Sequence, residues 1–181
     1  MRDLSLHILD LLENSIRAGA TVVAVTVIQD QERDWLIIKV EDNGFGIQDP
    51  IEKVTDPFYT TKPGKKTGLG LSLFKAAAER TGGSLEIGTS ELGGASVQAS
   101  LKLRHVDRCP LGDLAATLSS MVCTNPGLEL VCRMCVDGKE CVVNSAVLAK
   151  DLPAYSQGGL SLARRVSERI KGGMAALTLS A

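Results

Sequence analysis

Leu4, His7, Ile8, Leu11, Leu12 and Ser15 recur at helical spacing near the start of the chain, and Gly19 supplies a stop. This pattern predicts a helix over 3–18. The β-branched run Thr21-Val22-Val23-Ala24-Val25-Thr26-Val27-Ile28 predicts a strand, and Trp35-Leu36-Ile37-Ile38-Lys39-Val40 a second one beyond a polar turn, Gln29 to Asp34. From Gly44 to Thr67 the pattern dissolves into glycines and prolines. A connection of that length is usually a functional lid or a disordered segment. Helical periodicity returns from about Leu69 to Arg80 and ends at Gly82-Gly83. Strands near Ser84–Thr89 and Ala95–Leu103 then form a hairpin through Glu91-Leu92-Gly93-Gly94.

The pattern shifts again after residue 104, and all five cysteines lie beyond that point. Two domains are therefore expected, 1–104 and a small module over 105–181. The second reads as a helix about Leu111–Met121, a hairpin about Asp137-Gly138 and a final helix about Leu160–Ile170. No internal repeat is visible.

Hydrophobic content of 44% supports a buried core, and 3% aromatic content means that core is aliphatic. A net charge of −1 gives no long-range attraction to nucleic acid or anionic membrane. No apolar run approaches the ~20 residues that span a bilayer, and no export signal is visible, so a cytoplasmic location is expected. An odd cysteine count in such a chain points to free thiols or ligands, not a disulfide framework.

Singly, the glycine signals are weak. Asp42-Asn43-Gly44 is also an ordinary turn sequence. A dinucleotide fingerprint is excluded because position 73 is Leu where the third glycine belongs. A P-loop is excluded by Tyr59 and Lys66 around Gly64-Lys65. In order along the chain the motifs speak together. Asp10-Leu11-Leu12-Glu13-Asn14-Ser15 resembles the N box of the GHKL superfamily, which includes histidine kinases, gyrases and mismatch-repair ATPases. Asp42-Asn43-Gly44-Phe45-Gly46-Ile47 resembles its G1 box. Asp56-Pro57-Phe58-Tyr59-Thr60-Thr61-Lys62 looks like the F box of histidine kinases, and Gly68-Leu69-Gly70-Leu71-Ser72-Leu73 resembles the G2 box. The likeness covers about residues 4–103.

The resemblance implies an α+β two-layer sandwich, the Bergerat ATP-binding fold, with a mixed and mainly antiparallel sheet carrying helices on one face. It implies ATP and Mg²⁺ as cofactors. Asn14 would offer a neutral oxygen, a hard ligand for a Mg²⁺ that bridges phosphates. Asp42 would accept from the adenine exocyclic amine. Gly44 and Gly46 would let the backbone approach the base, with Ile47 beside it. Thr67, Gly68, Leu69, Gly70 and Leu71 would present the start of a helix to phosphate. Arg17 lies near Asn14's helix face and reaches toward a phosphate; Lys62, Lys65 and Lys66 would close over the charge. For Arg17 and the Lys65-Lys66 pair, a solvated surface role fits equally well.

Two departures matter. The family's general base is a Glu four residues before the Asn, and here Asp10 holds that place. Its carboxylate stands about 1 Å short, a misplacement that can cost about a hundredfold. Glu13 points about 100° away and is a poor substitute. The later Gly-x-Gly-Thr element appears as Leu92-Gly93-Gly94-Ala95-Ser96, with the hydroxyl displaced by one position. A phosphoacceptor would have to be His7 or His105, and a lone His is more often structural.

Cys132-Arg133-Met134-Cys135 with Cys141 suggests zinc or iron–sulfur. A two-residue turn at Asp137-Gly138 would set Met134 opposite Cys141 and send Cys132 and Cys135 to opposite faces. Packing is then favoured over a metal. The expected function is a Mg-ATP-binding, stand-alone regulatory kinase or ATPase acting on a partner protein, with Asp10 as its catalytic group. The alternatives are a non-catalytic ATP-sensing module, or an accessory of a redox enzyme with a sensing tail.

Overall fold

A computed structural model describes residues 3–47, 69–153 and 159–179. The expected lid and F box, with Lys62, Lys65, Lys66, Thr67 and Gly68, lie outside the described residues. Helix α1 spans Leu4–Arg17 and is capped by Asp3, whose side chain accepts from Leu6 N at 3.1 Å. Its first amides, Leu4 and Ser5 N–H, donate to the carbonyls of Pro110 and Leu111 at 2.9 and 2.8 Å. A distant segment thus satisfies the donors that a helix start leaves unpaired.

Strands β1 (Val22–Asp30) and β2 (Trp35–Asp42) alternate buried and half-buried positions. Both run longer than the sequence pattern suggests, and Asp42 is the last residue of β2, not part of a loop. Helix α2 (Leu69–Arg80) precedes the hairpin β3 (Ser84–Thr89) and β4 (Ala95–Lys102). Val25 faces Val40 and Val40 faces Val97 across neighbouring strands, so the buried residues stack on one side of the sheet. That alignment is what a single apolar face demands.

The chain beyond residue 104 continues the same body. Helix α3 (Leu114–Thr124) is followed by β5 (Glu129–Val136), which pairs in parallel with β1, Val25 opposite Cys132. Strand β6 (Lys139–Asn144) returns antiparallel, giving one six-stranded sheet in the order β3-β4-β2-β1-β5-β6. Four of its five pairings are antiparallel, as the α+β expectation has it. A short helix α4 (Ser145–Lys150) follows, too brief for periodicity to reveal, and then α5 (Gly159–Leu177). The segments 3–104 and 105–179 share one core: Leu4, Val25, Leu101, Leu118, Cys132 and Ile170 belong to a single buried cluster. Helix α1 packs on α2 and α3, and α3 on α5.

The hairpin turns at Asp137 and Gly138, both with positive φ, and sets Met134 opposite Cys141. Cys132 is buried and Cys135 lies on the other face, as the register requires. Burial pushes the Cys132 thiol up to about 12, with Cys141 adding to the shift. Helix α5 runs past Gly172-Gly173, beyond the expected end near Ile170. Gly173 has a packing reason to sit there, since a Cβ would stand 2.7 Å from both Cys141 Sγ and Met134 Cε. No described helix is long and apolar enough to cross a membrane.

Candidate functional site

The end of α1, the end of β2 and the turn of the β3–β4 hairpin meet at Asp42, which is 4% exposed. Its Oδ2 accepts from Ser15 Oγ at 2.6 Å. Its Oδ1 accepts from Gly44 N at 2.9 Å and Ala95 N at 3.1 Å. Ser15 was part of the N box by sequence but had no assigned role. Its signal is a hydroxyl on the apolar face of a helix. Ala95 holds the displaced glycine element in place through its backbone, not through a side chain. Ser96 pairs across from Glu41 on the opposite sheet face, so the shifted hydroxyl points away from Asp42.

Close packing fixes this corner. A Cβ on Gly94 would stand 2.2 Å from Asp42 Oδ1, and one on Gly44 would stand 2.7 Å from the Ala18 carbonyl oxygen. Gly44 is thus required by α1's end, a contact additional to the approach expected for the base. Asn43 also matters, although sequence reasoning passed over it. Its Oδ1 accepts from Thr21 N and Val22 N, both at 2.9 Å, locking the loop after β2 to the start of β1.

Gly94, which packs against Asp42, borders a cleft of about 260 Å³ lined also by Phe45, Gly46, Ile47, Ile87 and Thr89, among others. It is slightly below the ~300–1,000 Å³ of sites that enclose a drug-sized ligand. Phe45 is 66% exposed at its rim.

Along α1, one turn apart, Asp10 and Asn14 share a face: Asn14 Nδ2 donates to Asp10 Oδ2 at 3.3 Å. Asn14 Oδ1 accepts from the Arg17 guanidinium, which also pairs with Glu13 at 3.7 Å. Asp10 abuts Gly70, in the first turn of α2. Leu71 packs against the core, and Leu69 opens α2. Of the expected site residues, Asp10, Asn14, Arg17 and Gly70 therefore form one cluster, and Asp42, Gly44, Gly46 and Ile47 a second. Ser15, next to Asn14 in the chain, joins the two.

His7 is 3% exposed and stacks on Phe74 of α2, with ring centroids 4.8 Å apart. Burial lowers its pKa from 6.5 to about 4, so the ring is neutral. His105 lies in a turn, where its Nδ1 accepts from Asp107 N at 3.1 Å.

The profile of the histidine kinase-, DNA gyrase B- and HSP90-like ATPases matches residues 2–105. The chain is 50% identical over 54 residues to Sensor kinase CckA of Brucella abortus, covering 29% of this chain and 6% of that protein. It is 34% identical over 121 residues to the Non-motile and phage-resistance protein of Caulobacter vibrioides, covering 60% of this chain and 14% of that protein. The chain therefore spans only a small part of the length of these relatives. The N-terminal domain of a DNA repair protein is similar in fold, with a TM-score of 0.54 at 14% identity, over 96% of this chain and 59% of that one. Because the matched segment exceeds half of the sequence and contains Asn14, Asp42 and all of α2, the chain belongs to the histidine kinase-, DNA gyrase B- and HSP90-like ATPase family.

Proposed function

We propose that this chain binds Mg-ATP and acts as a regulatory kinase or ATPase on a partner protein. The observation that carries this reading is the buried Asp42 carboxylate, packed against the Gly94 that borders the cleft and held as an acceptor by three donors. An acceptor there selects adenine, whose exocyclic amine donates, over guanine, which presents a carbonyl. Phe45 and Ile47 would flank the base.

The phosphate end fits the same reading. Asn14 Oδ1 already faces a cation, the Arg17 guanidinium, so its chemistry suits a hard metal ion once Arg17 swings toward phosphate. Bound Mg²⁺ would neutralise phosphate charge. Lys62, Thr67, Gly68, Leu69, Gly70 and Leu71 would complete the phosphate side in this proposal. Asp10 would take the proton from an acceptor hydroxyl or water as the γ-phosphoryl group moves to it and ADP leaves. The partner's acceptor is then a hydroxyl on another protein, and one of the similar proteins above, a sensor kinase, bears a name that fits signalling.

A second reading is supported by the bond between Asp10 and Asn14: an ATP-sensing module in which Asp10 only positions its neighbour. Calorimetric titration with Mg-ADP and a non-hydrolysable ATP analogue tests the shared part. Magnesium-dependent binding that is lost in Asp42→Asn supports the nucleotide site, and absence of binding by the folded wild type rejects it. Transfer of labelled phosphate to a partner then separates kinase from sensor.

A further inference from the structure

We infer that Ser15 is the positioning residue that sets adenine specificity, acting through Asp42. The inference rests on the reading of Asp42 as the base acceptor and goes beyond it by assigning the group that aims that acceptor.

The geometry is restrictive. Ser15 is 3% exposed and Asp42 is 4% exposed, so both groups rely mainly on protein partners for their hydrogen bonds. A hydroxyl has one proton to give. Two acceptors stand near it, Leu11 O at 3.2 Å and Asp42 Oδ2 at 2.6 Å, and the shorter contact takes the proton. An ionised carboxylate offers about four acceptor positions. Gly44 N and Ala95 N occupy Oδ1, and Ser15 occupies one position of Oδ2. Among the described residues, one position on Oδ2 is left for a ligand, and the hydroxyl on the other side of Oδ2 fixes its direction.

Ser15 does more than hold the carboxylate in place. It follows Asn14 directly in α1, so the residue proposed for the phosphate end and the residue that aims the base acceptor sit on consecutive positions of one rigid helix. The distance between base and phosphate recognition is then set by α1 itself.

The experiment compares Ser15→Ala and Ser15→Cys with the wild type, using ATP and the triphosphate of purine riboside, which lacks the exocyclic amine. The full chain is used, with thermal unfolding recorded for each variant. Wild type should bind ATP more tightly than the amine-free analogue. Ser15→Ala should lose ATP affinity on the order of tenfold while analogue affinity changes less than about twofold. Ser15→Cys, a weak donor of nearly the same size, should fall between, and it carries the test if Ser15→Ala does not fold. Equal losses for both ligands would overturn the role of Ser15 and leave the Asp42 reading intact, since that would be a purely structural effect. A wild type that binds both ligands equally well would overturn the Asp42 reading and this one with it.

Discussion

Gly70 approaches Asp10 so closely that a Cβ at position 70 would stand 1.7 Å from Asp10 Oδ2. The first turn of α2 and the acid of α1 are fitted to one another, and the same Asp10 oxygen accepts from Asn14 Nδ2.

Gly70→Ala should therefore displace the Asp10 carboxylate rather than unfold the protein, because a side chain can turn where a backbone cannot. Stability should change by no more than about 1 kcal/mol, alanine being the better helix former. Any ATP turnover or phosphate transfer should fall at least about tenfold, in line with the effect of small misplacements. Thermal unfolding and a turnover assay on the same sample check both halves.

Asp10→Glu restores the family's longer acid, yet the close approach of Gly70 leaves little room for the extra methylene. The expected outcome is weaker Mg-nucleotide binding, by about threefold to tenfold, with no gain in turnover. Higher turnover in Asp10→Glu would show instead that the short acid limits the wild type.

His7 gives the fold a defined acid sensitivity. Its pKa is about 4 in the folded chain against an ordinary 6.5, so the unfolded chain takes up the proton first. The contribution is fully present above about pH 6.5, declines as pH falls toward 4 and is constant below that. The total is about 3 kcal/mol. Denaturant unfolding between pH 7 and 4 should show this slope, and His7→Leu should remove it.

Thiol alkylation should discriminate among the cysteines. Cys132 is buried, with its thiol pushed up to about 12, and should be the last to react in the native protein at pH 8. Cys135, half-buried on the opposite sheet face, should react before it. Mass mapping of partly labelled protein gives the order.

The motifs of the matched family were legible because each is local: an Asn on an amphipathic helix, an Asp closing a strand, glycines opening a helix. The hairpin was legible too, since a two-residue turn fixes register and so separates Cys132 from Cys135. Long-range choices were not legible. Nothing in Glu129–Val136 announces that it pairs with Val22–Asp30. Local propensity ended the last helix before Gly172-Gly173, whereas the thiol and thioether packed against Gly173 override that propensity. Ser15 escaped because its importance lies in a partner 27 positions away.

The parallel pairing of β5 with β1 also bears on how the chain is made. During synthesis β1 and the nucleotide half emerge first, but one flank of β1 has no neighbour until residues 129–136 leave the ribosome. Until then the run Val22 to Ile28 is an exposed sheet edge rich in β-branched residues, the kind of segment that recruits other chains. Expression of 1–104 alone should yield aggregate, and a ribosome-bound chain of that length should bind chaperones that the finished protein does not.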